Sequence, residues 1–160
     1  MVKQTARNIR NACSFLGLIL AVVATSHCGP SRPVQEKNVG STKGGETLYY
    51  LDLASPLSQT IDRASNAEDA KFIRVEVVEV TNPKQYALTF IVRYQPDNKT
   101  KIDLGTFSLF PANNPGNFLV ATQGKVRQQG SIVLSMTTPD KVDPKDTVKV
   151  GVKKLTFVKQ

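Results

Sequence analysis

Residues 71–94 most constrain the fold. They form two runs rich in β-branched and aromatic residues, Phe72 to Val80 and Tyr86 to Tyr94, separated by Thr81-Asn82-Pro83-Lys84-Gln85. Side chains of a strand alternate between two faces, whereas a surface helix repeats its apolar positions every three or four residues. The second run follows the strand rule. Tyr86, Leu88, Phe90, Val92 and Tyr94 share one face, and Ala87, Thr89, Ile91 and Arg93 share the other. In the first run Ile73, Val75 and Val77 lie opposite Arg74 and Glu76, after which Val78 and Val80 take the other parity. A one-residue slip of this kind is what a β-bulge produces, so a bulge is expected near Val77–Val78. The Asn-Pro turn between the runs reads as a hairpin connection, giving an expected hairpin over 71–94.

The remaining chain continues in short strands. Candidates are Thr47 to Leu53, Leu57 to Ile61, Lys101 to Phe110, Phe118 to Ala121, Ser131 to Thr138 and Val148 to Phe157. Gly105 stands at a parity switch, where a bulge or bend is expected. A further shift is expected at Lys153–Lys154, and residues 63–70 read as a loop or at most one helical turn. About eight strands with almost no helical period indicate an all-β domain, an antiparallel β-sandwich of jelly-roll-like form, over residues 47–160. Seven Phe and four Tyr are available to fill its interior, with no Trp.

The N-terminus has a different character. Lys3, Arg7 and Arg10 precede an apolar run from Cys13 to Ala24, and no acidic residue occurs before Glu36. This is the pattern of a secretory signal peptide over residues 1–27, too short to span a bilayer, which takes roughly 20 apolar residues. Thr25-Ser26-His27-Cys28-Gly29 resembles the lipobox of bacterial lipoproteins, in which the Cys is lipidated and becomes the mature N-terminus. His27 stands where that motif carries a small residue, and Thr25 where it prefers Leu; cleavage after Ser26 or Ala24 is the competing reading. Lipidation of Cys28 implies a membrane partner through the lipid anchor and a cell-envelope location. Cleavage elsewhere implies a secreted or periplasmic protein. Residues 28–46, rich in Gly, Pro, Ser and charge, read as a flexible tether. With Cys13 removed and Cys28 alone, no intramolecular disulfide is available to the mature chain.

Several short stretches stand out together: Leu53-Ala54-Ser55-Pro56-Leu57, Lys71-Phe72-Ile73-Arg74-Val75, Gly105-Thr106-Phe107-Ser108-Leu109-Phe110-Pro111, the Val-rich Ser131 to Thr137, and the closing Val148 to Val158. In this layout the domain resembles the C-terminal, Lys-Phe-Asp-Val type domain of plant-type polyphenol oxidases, with Ile73 at the Asp position. The resemblance implies a sandwich that covers the copper site of a separate catalytic domain. The six histidines of that di-copper centre are missing from a chain whose one His is His27, so docking on a tyrosinase-like oxidase is the property that the resemblance carries over.

Composition narrows the chemistry. One His and two Cys leave no imidazole or thiolate set for a metal, so neither metal nor cofactor is expected, and nucleophile–His catalysis lacks its base. Glu76 and Glu79 are the nearest carboxylate pair within strand, but strict alternation puts them on opposite faces unless the bulge reunites them. Asp140, Asp143 and Asp146 recur in a Pro-containing turn and offer hard oxygen ligands for Ca²⁺, opposed by Lys141 and Lys145. The formal net charge of +8 is dispersed, with no basic-aromatic cluster of the nucleic-acid-binding kind. Tyr49 and Tyr50 are adjacent, so one must point away from the core. They are the candidate binding residues for the alternative to protein docking, a carbohydrate-binding module. No catalytic residue is assigned, and the expectation is a non-enzymatic module acting on a protein partner.

Overall fold

In a computed structural model, residues 40–43, 45–62, 64 and 66–159 are described, with backbone only for 41–43. The expected signal segment, Cys28 and most of the expected tether lie outside the described residues. Ten strands are present among those described: β1 Ser41–Lys43, β2 Glu46–Asp52, β3 Leu57–Thr60, β4 Phe72–Thr81, β5 Thr89–Gln95, β6 Ile102–Ser108, β7 Gly116–Ala121, β8 Ser131–Thr137, β9 Lys149–Val152 and β10 Thr156–Val158. The first of them falls within the stretch read as tether. A 3-10 turn at Ala67–Asp69 lies in the loop before β4.

The strands form two antiparallel sheets. One runs β1-β2-β9-β4, with β9 and β10 sharing one edge of β4 and β7 taking the other. The second runs β3-β8-β5-β6. With β9 and β10 counted as one interrupted strand and β1 as an added edge, eight strands remain. They alternate between sheets, except that β5 and β6 both lie in the second, in the order of a jelly roll. The ladder registers put the loops 53–56, 82–88, 109–115 and 138–148 at one end of the sandwich. The loops 61–71, 96–101 and 122–130 close the other end.

The expected hairpin over 71–94 is not formed. Both runs are strands, but β4 belongs to the first sheet and β5 to the second. The reason lies in residues 82–88. Asn82, 3% exposed, donates from Nδ2 to the Tyr86 carbonyl at 2.9 Å and accepts from the Tyr86 N–H at 3.0 Å. The Gln85 N–H donates to the Asn82 carbonyl, and the Ala87 N–H to Asp140 Oδ2 at 2.9 Å. Those backbone groups are therefore committed to the loop and cannot extend a ladder back onto Val80 and Thr81. The chain arches from one sheet into the other. The true hairpin is the next one: β5 pairs β6 across Pro96–Lys101, where Asp97 Oδ1 accepts from the Lys99 and Thr100 N–H groups.

The irregularities fall where alternation breaks. The β4–β9 register shifts between Val77 and Glu79. The β5–β6 register shifts opposite Leu104, beside Gly105. The last strand is interrupted between Val152 and Thr156.

The core is one cluster drawn from both sheets. Ile73, Val75 and Val77 of β4, Val150 and Val152 of β9, Phe90, Val92 and Tyr94 of β5, and Ile132, Leu134 and Met136 of β8 are all buried. Tyr94 buries its ring and donates its hydroxyl to the Gln129 carbonyl at 2.7 Å, the pairing a buried phenol requires. Gly130 follows at φ +100; a Cβ there would stand 2.3 Å from the Gln95 carbonyl oxygen, so no larger residue fits. On one side the sandwich is closed by an aromatic stack, Phe90 on Phe107 at 4.8 Å and Phe107 on Phe118 of β7 at 4.2 Å. A second cross-sheet tie comes from Gln59 of β3. Its amide donates to the Leu155 carbonyl at 2.9 Å and accepts from the Leu155 N–H at 2.8 Å, supplying the ladder bonds missing between β9 and β10.

Replacing Asn82 with Ala leaves the Tyr86 N–H and carbonyl without their partners. We expect a loss of about 2 kcal/mol in urea denaturation, in the range for stranded buried polar groups. A loss below roughly 0.5 kcal/mol, the level of an ordinary surface change, would show that the arch does not depend on this side chain.

Candidate binding surface

The outer face of the first sheet holds most of the residues singled out from the sequence. In β2, Tyr49 and Leu51 pair with the buried Val152 and Val150, so Tyr49 points inward and packs against the core. Tyr50 points outward, opposite Gly151. A Cβ on Gly151 would stand 2.9 Å from Tyr50 Cε1, so the glycine lets the phenol lie down on the sheet. The Tyr50 hydroxyl donates to Glu79 Oε2 at 2.9 Å, and the Lys149 ammonium stands 4.0 Å from the ring centroid. The two tyrosines therefore share no stacking platform.

The bulge returns Glu76 and Glu79 to one face, as Glu76 precedes the inward Val77 and Glu79 pairs with Gly151. Their partners differ. Glu76 pairs with Lys153 at 2.7 Å, and Lys153 also pairs with Glu46 at 3.0 Å, while Glu79 takes the Tyr50 hydroxyl. The hydrogen bonds to Glu76 and then Glu46 raise the Lys153 pKa, so this cation is held charged between two carboxylates. The two carboxylates thus share a face but contact different groups, a lysine shared with Glu46 and a tyrosine hydroxyl.

The three aspartates of the 138–148 loop are likewise dispersed. Asp140 accepts from the Ala87 N–H, and Asp143 from the Lys145 N–H at 2.9 Å. Asp146 pairs with Lys84 at 2.9 Å and accepts from the Tyr86 hydroxyl on the same oxygen. Among the described residues no three His, Cys, Asp or Glu side chains gather as a metal site. Asp140 and Asp146 instead pin the 138–148 loop to the arch, while Asp143 bonds within its own loop.

Sequence alternation missed the other side of the molecule. From Leu104 to Gly124 there is no charged residue, in a chain with 21% charge. This stretch supplies most of β6, all of β7 and the loop between them. The sequence pattern extends a strand to Phe110, but β6 ends at Ser108 and the loop carries Phe110 into solvent at 96% exposure. The loop is short and turned: the Asn114 N–H donates to the Pro111 carbonyl at 3.0 Å, and the Phe110–Pro111 peptide is cis. Leu119, pointing outward from β7, is 57% exposed. The signal that would have found both is the gap in charge, combined with an aromatic next to the Pro-Ala-Asn-Asn-Pro-Gly turn. An isolated exposed leucine is ordinary, whereas a phenylalanine with its whole ring in water carries an uncompensated hydrophobic cost.

Compared with protein-family models, with curated proteins and with solved structures, the chain matches none. Its surface must therefore be read on its own chemistry.

The Lys84–Tyr86–Asp146 contact makes the arch pH-dependent. The Tyr86 hydroxyl and then Lys84 hold the Asp146 carboxyl below the usual carboxylate range. The hydrogen bond to Asp146 raises Lys84, and the same carboxylate, then burial, raises Tyr86. A lowered acid stabilises the fold above its ordinary pKa, and that contribution is lost as pH falls through the folded value. Raised Lys and Tyr groups stabilise below their ordinary pKa values, and their contribution is lost as pH rises through the folded values. The stability gap between wild type and Asp146→Asn is therefore expected to be flat near neutrality and to narrow below about pH 4 and above about pH 10. Urea titrations at pH 2.5, 7 and 11 check it; an unchanged gap at pH 2.5 would dissociate Asp146 from acid stability.

Proposed function

We propose that this protein is an exported, lipid-anchored binding module without catalytic chemistry of its own, which docks on a protein partner through the Phe110 loop. The observation that carries the reading is the 96% exposure of Phe110 on a short turned loop at the end of a jelly roll. Aromatic side chains held rigidly and wet in the free protein are the residues that dominate protein interfaces once desolvated. The surrounding loop is uncharged, so a partner need not strip water from ions to cover it. The carboxylates on the outer face support the non-enzymatic part, because Glu46 and Glu76 are tied to Lys153 and Glu79 to the Tyr50 hydroxyl. The resemblance to the polyphenol oxidase C-terminal domain makes a tyrosinase-like oxidase the first partner to test. The carbohydrate-binding alternative draws less support, since Tyr49 packs inward and Tyr50 lies under Lys149.

The test is photocrosslinking in the native envelope from position 110, with position 99 at the opposite end of the sandwich as the control. A discrete protein adduct from 110 and not from 99 is expected. The substitution Phe110→Ser should weaken binding of that partner about tenfold or more, with the melting temperature unchanged because the ring contributes no core contact. Adducts to lipid alone, or equal adducts from both positions, would contradict the reading. The mass of the mature N-terminus, expected to be a lipidated Cys28, tests the anchor in the same preparation.

A further inference from the structure

We propose that β7 is a docking edge for β7 of a second copy of this chain, forming a two-fold dimer whose first sheet runs continuously through both subunits. An open sheet edge presents unpaired N–H and C=O groups from every second residue, and folded proteins ordinarily shield such edges. The open edges of this sandwich are shielded by recognisable means, with one exception. The strands β1, β3 and β10 are three or four residues long. The longer β6 is bent by the bulge at Leu104 and carries Asp103, which pairs with Arg93 at 2.6 Å. By contrast β7, six residues long, pairs with β4 in unbroken register from Gly116 to Ala121. It contains no Lys, Glu, Pro or bulge, and among the described residues no strand pairs its outer edge.

The strand is self-complementary. Antiparallel pairing with its own copy about Leu119 sets Leu119 against Leu119 of the second copy, Phe118 against Val120 and Asn117 against Ala121. Inward-facing residues then meet inward-facing ones, and no charge opposes another. Leu119, 57% exposed in the single chain, would be covered by its own equivalent. A second copy is the occupant that these features favour, because it brings the same neutral, unbroken and open edge, and two-fold pairing satisfies both edges at once. The edge and the Phe110 tip are separate features, so the dimer does not rest on the docking proposed above. Where both hold, two Phe110 loops are carried by one assembly, and a bivalent partner gains avidity.

The test uses sedimentation velocity of the detergent-solubilised full chain, wild type, Leu119→Lys and Leu119→Glu, over a concentration series. Wild type is expected to dimerise. Each variant alone opposes like charges across the two-fold axis and should weaken the dimer by about tenfold or more. An equimolar mixture of the two variants should recover a heterodimer, a result that misfolding or association through the N-terminal segment would not give. A wild-type monomer throughout, a dimer insensitive to both substitutions, or a mixture no tighter than either variant would each overturn the proposal.

Discussion

Two apolar sheet faces buried against each other hold this structure together, and every other feature is subordinate to that contact. Residues Ile73, Val75 and Val77 line one face, and Leu88, Phe90, Val92 and Tyr94 line the facing one. Burying such side chains contributes about 1.5–3 kcal/mol each, while a hydrogen bond exchanged between water and protein nets only about 1 kcal/mol. No cysteine follows Cys28 in the sequence, so no disulfide within the described residues can substitute. The polar devices steer this burial. Asn82 turns the backbone from one sheet to the other, Gln59 spans the break at Leu155, and the Tyr94 hydroxyl finds Gln129.

Which face each side chain occupies was legible from the sequence, because the strand period depends only on near neighbours. The inward sets of β5 and β8, the slip at Val77–Val78, the bend by Gly105 and the interruption after Val152 all follow from it. Pairing partners are a different kind of information. Two apolar runs joined by Asn-Pro look like a hairpin, yet the contest between ladder and arch is decided by Asn82 and by Asp140, which lies far along the chain. No local pattern in residues 71–94 encodes the second contact. The candidate surface was illegible for a related reason. Alternation shows whether a residue faces in or out, but Phe110 leaves the strand altogether, and the significance of Leu119 depends on β7 being an edge.

The two sides of the sandwich have opposite characters, and the difference bears on function. Across β2, β9 and β4 the outer face is laced by Glu46, Lys153, Glu76, Lys149, Tyr50 and Glu79 in contacts that use their charge internally. Across β6, β7 and the loop between them there is no charge beyond Leu104, and the exposed large apolar side chains are Phe110 and Leu119. Ions that already have partners in that cluster offer little to a ligand. A neutral side with an exposed ring and an open edge offers hydrophobic area and backbone bonds, which are the means by which proteins recognise other proteins.

Placement of β4 and β5 in separate sheets is the claim on which the loop cluster, the exposed Phe110 and the β7 edge all rest. Interstrand Hα–Hα contacts, read by nuclear Overhauser spectroscopy of the labelled protein, test it most directly. The account predicts contacts linking β4 to β9 and β7, and β5 to β8 and β6, with none between β4 and β5. A ladder of contacts joining residues 72–81 to 89–95 would contradict it.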